Sequence, residues 1–280
     1  MLEIILDALL DAVKVLPFLF CAYLLIEYLE HKAGDRLTEK IRRVGAAGPF
    51  LGALLGAVPQ CGFSVTAANF YAGRMISAGT LLAVFLSTSD EALLILMAQP
   101  DAWANVGKLL GAKLLIAFLV GFGVDLFWKG FGGRQKEEAF EGMCRHCHCE
   151  KGTIWLSALN HTVKIFVFLF LINVVLGLGF HYIGEEAIRR LFLTHSVFQP
   201  FLTALIGFIP NCAASVLITE LFLSGALSFG SAVAGLCTGA GLGLAVLLRV
   251  NRRPKENIRI LLVLYGAAVI SGLLLNLLGL

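Results

Sequence analysis

The sequence predicts an all-α polytopic membrane protein made of two inverted repeats. Each has about five helical pieces, with proline-broken helices or re-entrant hairpins at the centre. Three observations carry this prediction: the composition, a stretch the chain contains twice, and the placement of basic residues in the loops. Of 280 residues, 58% are hydrophobic and only 15% charged, and 21 are Phe. The mean hydropathy is +0.85. A soluble domain has no use for that much apolar surface, and several apolar runs approach or exceed the roughly 20 residues that cross a hydrocarbon core.

The duplicated stretch lies at residues 49–65 and 200–216, 151 positions apart without a gap. Pro49, Leu54, Gly56, Pro59, Cys61 and Ser64 fall on Pro200, Leu205, Gly207, Pro210, Cys212 and Ser215. Extended to Ala83 and Ala234, the copies agree at 13 of 35 positions. Apolar composition alone matches Leu and Val by accident, but it does not bring two prolines, a cysteine and a serine into register.

In chain order, the first span is expected at about 8–28. The opening residues lack a basic n-region and belong to this first helix rather than to a cleaved signal. A polar segment with Lys32, Arg36, Lys40, Arg42 and Arg43 follows. The first broken segment occupies about 48–74, interrupted at Pro59–Gly62, because proline removes a backbone donor and breaks the helical ladder. The next span, about 76–97, is interrupted by Ser87-Thr88-Ser89-Asp90-Glu91. After a loop at 99–107, a span at about 109–128 closes the first half. The organisation is therefore a first transmembrane repeat at 1–128, a hydrophilic linker at 129–152 and a second, inverted repeat at 153–280. Its spans are expected at about 154–178, 199–224 (broken), 229–248 and 260–280.

Loop charge sets the relative orientation. Against five basic residues after the first span, the counterpart at 181–198 has two, Arg189 and Arg190. The loop at 99–107 has none before Lys108, whereas 249–258 holds Arg249, Arg252, Arg253 and Lys255. Corresponding loops of opposite character face opposite sides under the positive-inside rule. This requires an odd number of crossings per half, which a hairpin at 48–74 supplies. The linker and basic loops are then cytoplasmic, in a multi-pass protein of the inner (plasma) membrane with both termini outside.

Inverted repeats with matched interruptions point to a secondary transporter, whose site lies near the bilayer midplane where half-helices meet. Freed backbone carbonyls survive there only when buried in protein or lining a wet cavity. Each elbow proline precedes an amide and a thiol, Gln60-Cys61 and Asn211-Cys212, with Ser64 and Ser215 one turn on. The polar run contributes Ser87, Thr88, Asp90 and Glu91, and intramembrane carboxylates are functional candidates by default. Its counterpart, Thr238-Gly239-Ala240-Gly241-Leu242, carries no charge. Asn69 and Glu220 occupy equivalent places in the two broken segments, and Glu220 is expected to be a buried acid. Asp11 with Lys14, and His161 with Lys164, share a helix face by their spacing and are candidates for coupling or charge relay. Lys113, Asp125, Asn173 and His195 are weaker candidates.

The linker sequence from Cys144 through His146, Cys147 and His148 to Cys149 packs five soft or borderline ligands into six positions. It suits thiophilic or borderline metals, as a flexible metal-catching or sensing tract rather than one folded site, the alternative being an incidental Cys/His-rich tail. With three of the seven cysteines there and four in apolar segments, a disulfide framework is not expected. No phosphate loop, nucleophile elbow, H-E-x-x-H helix or dinucleotide fingerprint is present. No enzymatic activity and no cofactor are expected. The basic residues are juxtamembrane, so nucleic acid is not a partner either. The partners expected are the lipid bilayer, a transported ion and a coupling proton or cation. A metal-sensing or accessory subunit acting through the linker, or an intramembrane enzyme, are the competing classes.

The stretches Val-Pro-Gln-Cys-Gly-Phe-Ser, Tyr-Ala-Gly-Arg at 71–74, Phe-Leu-Ser-Thr-Ser-Asp-Glu-Ala at 85–92 and Ile-Pro-Asn-Cys-Ala at 209–213 resemble a family. It is that of the ten-helix heavy-metal exporters, also called arsenic-efflux-type permeases, of which some members are labelled manganese transporters. The resemblance covers essentially the whole chain, and the Ser-Thr-Ser-Asp-Glu-Ala run is its most specific motif. It implies an inner-membrane permease exporting a metal or metalloid. On the residues themselves, a soft species such as trivalent arsenic favours Cys61, Cys212 and Cys237. A hard divalent ion such as Mn²⁺ favours Asp90, Glu91, Gln60 and Asn211.

Overall fold

A computed structural model describes residues 47–59, 61–88, 90–99, 103–131 and 198–279, with scattered residues between 9 and 24 and between 155 and 175. All regular structure among the described residues is helical. The first half contributes α1 (Gly48–Gly56), α2 (Cys61–Ala72), α3 (Ala78–Ser87), α4 (Asp90–Met97) and α5 (Trp103–Phe131). The second contributes α6 (Gln199–Gly207), α7 (Cys212–Leu223), α8 (Phe229–Thr238), α9 (Leu242–Val250) and α10 (Pro254–Leu277).

The same local chemistry starts and stops the paired helices. Pro49 and Pro200 sit in the first turns of α1 and α6, where a missing N–H costs nothing. Ser77 and Ser228 cap α3 and α8 by accepting from Thr80 N and Ser231 N, as N-cap hydroxyls do. Beyond α2 and α7 the chain turns through a left-handed residue, Arg74 (φ 58°) and Gly225 (φ 75°). Matching backbone bonds close both turns, Gly73 N to Asn69 O and Ser224 N to Glu220 O.

The interruptions fall where the sequence places them. Helix α3 ends at Ser87, Thr88 is extended (φ −55°, ψ 126°), and α4 starts at Asp90. Helix α8 ends at Thr238, and α9 starts after Gly241 (φ 53°). The ends of the two long helices differ from expectation. Helix α5 runs from Trp103 to Phe131 rather than over 109–128, and α10 starts at Pro254 rather than near 260. An apolar run marks what the hydrocarbon covers, whereas a helix continues into its polar flanks; Pro254, whose missing N–H costs nothing in a first turn, and Glu256, favoured by the helix dipole there, begin α10.

Among the described residues four stretches are long and apolar enough to cross a membrane: Ala78–Met97, Asn105–Phe127, Phe229–Val250 and Pro254–Leu277. The two interrupted ones are 80% and 83% buried and the two continuous ones 28% each, so α3/α4 and α8/α9 are central. Helix α3 packs between α1 and α5, α8 packs between α6 and α10, and α3 touches α8. Exchange between halves is reciprocal: α2 lies on α9, and α7 lies on α4. The outward faces of α5 and α10 present Leu115, Leu119, Phe127, Leu262 and Ile270, as a lipid-facing surface requires.

Glycines set the closest approaches and reveal helix direction. A Cβ on Gly48 would meet Thr80 Oγ1, one on Gly52 Thr80 O, and one on Gly56 Ser87 Oγ. Contacts that advance together mean that α1 and α3 run parallel with their starts level. The intervening α2 must therefore return the chain to the level from which α1 departed. Residues 48–72 thus form a re-entrant hairpin, not one kinked span. The second half repeats this: Gln199 meets Ser231, and Gly207 abuts Gly235 and Thr238.

Candidate translocation site

The hairpin geometry puts each elbow at the depth of the neighbouring interruption. Gly56 ends α1 against Ser87, and Gly207 ends α6 against Thr238, where an added Cβ would sit 2.2 Å from the respective hydroxyl oxygen. The Thr238 hydroxyl donates to Ala204 O at 2.8 Å and approaches Gly235 O at 2.9 Å, tying α8 to α6 next to the elbow. Ser87 and Thr88 hydroxyls turn back to Val84 O at 3.1 and 2.7 Å.

A pocket opens at the second elbow. It is lined by Gly207, Asn211, Ser215, Ile218, Gly239 and Gly241 among others. Apart from Ile218, which lies in the middle of α7, these residues come from the C-terminal ends of α6 and α8 and the N-terminal ends of α7 and α9. Helix C-termini carry partial negative charge and N-termini partial positive charge, so the pocket sits where ends of both signs meet. Asn211 is extended (φ −142°, ψ 141°), and its side-chain oxygen caps Ala213 N at 2.9 Å. Ser215 donates to Cys212 O at 2.8 Å.

One lysine joins the two interruptions. Lys113 of α5 is fully buried, and its Nζ donates to Thr88 O and, at 2.7 Å, to Leu236 O. One acceptor closes α3 and the other lies in the last turn of α8, so a single ammonium holds helix ends from both repeats.

The chain matches the ArsP_2 family, described as "Putative, 10TM heavy-metal exporter", over residues 1–180 and 162–279. It belongs to that family. No curated protein and no solved structure shows a match. As a member of a heavy-metal exporter family the protein is a membrane transporter whose cargo is a metal ion.

For this exporter family member, the structure places the sequence-derived candidates unevenly. Ser64, Asn69, Ser87, Thr88 and Thr238 are buried, while Asn211, Cys212 and Ser215 are partly exposed at the second elbow. Asn69 donates to Val65 O at 2.9 Å within its own helix. Ser64 forms the close contact of α2 with α9: a Cβ on Gly243 would lie 2.7 Å from the Ser64 backbone. Cys61, Asp90 and Glu91 open α2 and α4; their side chains lie outside the described residues. Gln60, Asp11, Lys14, His161, Asn173, His195 and the linker set Cys144, His146, Cys147, His148 and Cys149 also lie outside them. Glu220 is exposed on α7 rather than buried, because it follows the buried Thr219 round the helix onto the outer face. Lys164 is exposed as well. Among the described residues no three His, Cys, Asp or Glu side chains gather into a metal-ligating group.

Asp125 and Lys113, the weaker candidates, have defined jobs. Asp125 Oδ1 accepts from Gly79 N at 2.9 Å and its Oδ2 from Ser77 Oγ at 2.6 Å. The equivalent Asn276 Oδ1 accepts from Gly230 N at 3.2 Å. Asp125 is thus a capping group at the start of α3. The repeat itself held that signal, since an acid facing an amide 151 positions away needs no charge.

Proposed function

We propose that the chain is a secondary transporter of the inner membrane that exports a metal or metalloid species by alternating access. The observation that carries this reading is the pocket at the second elbow, where four helix ends and two polar side chains meet at the depth of an interrupted span. Broken helices that gather backbone ends around a cavity are how transporters bind ions inside a bilayer. In this reading Gln60, Cys61 and Ser64 on one elbow, and Asn211, Cys212 and Ser215 on the other, contact the cargo. Ser87, Thr88, Asp90, Glu91 and Thr238 complete the path. Asp11, Lys14, His161 and Lys164 serve coupling, and the Cys/His linker, on the cytoplasmic side between repeats 1–128 and 153–280, delivers metal to the port. Asn69 and Glu220 flank the port rather than line it.

Cargo chemistry is decided by comparing arsenite and Mn²⁺ transport in everted membrane vesicles. Loss of arsenite transport in Cys61→Ser/Cys212→Ser with Asp90→Asn unaffected identifies a thiophilic metalloid. The reverse identifies a hard divalent cation. If both sets of substitutions leave both transports at wild-type rates, the elbows are not the port.

A further inference from the structure

The Lys113 ammonium is unexplained by cargo chemistry. It is the lone charged residue between Lys108 and Asp125, in a stretch otherwise of apolar residues and glycine. It is fully buried. Placing an ammonium there carries a large desolvation penalty even when it is hydrogen-bonded. The fold does not demand it, because the equivalent position in the second repeat is Leu264, equally buried.

Two of the groups that the charge meets are backbone carbonyls. Thr88 is the residue that closes α3. Leu236 O lies in the last turn of α8, two residues before its end, and the N–H that would serve it in a continued helix, that of Ala240, donates to Thr238 O at 2.7 Å instead. Two carbonyls released by two interruptions, one from each repeat, therefore aim at one point. Carbonyl ends of interrupted helices carry partial negative charge, and unwound carbonyls at such ends are the ligands with which transporters hold a coupling cation.

We propose that this crossing is an alkali-cation cradle which Lys113 fills with its own ammonium, so that the transporter carries this cation covalently and cycles without a bound Na⁺ or K⁺. The inference takes its meaning in transport from the reading of the crossing as part of the pathway. The binding event itself needs no cargo.

The test replaces the tethered cation and asks whether a free one takes its place. Wild type, Lys113→Leu (the residue of the second repeat) and Lys113→Ala (which leaves room for an ion) are purified in detergent. Each is melted in sodium, potassium and choline chloride of equal ionic strength. Wild type should melt at one temperature in all three salts. At least one variant should melt lower in choline and regain about 3–5 °C in roughly 0.1 M sodium or potassium, as binding to the native state alone requires. In vesicles, the rescued variant should transport only when that alkali cation is present. The proposal is overturned if neither variant gains cation-specific stability, whether it folds in choline or fails to fold in every salt. It is equally overturned if wild type shows the same gain. Because melting is read without metal, failure of the elbow thiol and carboxylate variants to alter transport would sink the port assignment and leave this result standing.

Discussion

At Gly56 and Gly207 a single methyl group would overlap a hydroxyl oxygen by more than an ångström and crowd the carbonyls of Val84 or Gly235. The neighbouring atoms are partly backbone and cannot step aside, so Gly56→Ala and Gly207→Ala should each lower stability by about 1–3 kcal/mol, the usual cost of overpacking, or collapse the fold. Gly107→Ala and Gly266→Ala, on helices with open space around the position, should be neutral or slightly stabilising. Thermal unfolding of the four variants in detergent separates the pairs, and equal behaviour would refute the close packing of elbow against interruption. Asp125 offers a second check. Because Asn276 performs the equivalent cap, Asp125→Asn should cost under about 1 kcal/mol, whereas Asp125→Ala strands Gly79 N and should cost about 1–3 kcal/mol. A transport defect in Asp125→Asn without loss of stability would show a charge role beyond the cap. Both Asp125 and Lys113 are visible in the sequence as polar residues in an apolar run. What it does not show is direction, because the partners of Lys113 lie 25 and 123 positions away.

At the scale of elements, the interruptions were legible because proline, glycine and a polar run each break a helix for a local reason. The pairings α2 on α9 and α7 on α4 were not, since apolar helices of this composition present similar faces to any neighbour. One of these crossings ends in a polar contact. Arg74, held at φ 58° just past α2, pairs with Glu256 in the first turn of α10 at 2.7 Å. Arg253 meets the same carboxylate at 3.0 Å, and Tyr71 Oη approaches it at 3.5 Å. The corresponding turn in the second repeat holds Gly225, which adopts a positive φ without strain. A non-glycine residue there is retained against a backbone cost, and the ion pair between repeats supplies the compensation. The pair is only partly shielded, so its net value is modest. A double-mutant cycle on Arg74→Ala and Glu256→Gln should give a coupling of about 0.5–1 kcal/mol in stability. A coupling of zero would reduce Arg74 to an incidental surface charge. If the pair also latches the first hairpin to the last span during transport, the single variants should raise basal leak more than they lower melting temperature.

For the whole molecule, reciprocal packing establishes a repeat but is silent on whether the halves are parallel or inverted, because either arrangement exchanges α2 and α7 symmetrically. We propose that the halves are inverted, from hairpin geometry and loop charge taken together. Helix α1 runs parallel to α3 from the same starting level, so 48–72 enters and leaves on one side and adds no crossing. A half consisting of the first span, the interrupted span Ala78–Met97 and the continuous span Asn105–Phe127 then crosses three times by the expected topology. An odd count sends the second half in with opposite orientation, which is what the basic residues at 249–255 against their absence at 99–107 demand. Thiol labelling tests this directly. In a background with the native cysteines replaced, Ala98→Cys and Arg252→Cys occupy exposed positions in corresponding loops. An impermeant maleimide added to intact cells should label position 98 and reach position 252 only after the membrane is opened. Labelling of both from the same side would mean parallel halves. Elbows entering from one side only could not exchange roles as the path alternates, and the symmetry argument for alternating access would fail even though the fold, the pocket and the Lys113 crossing remained.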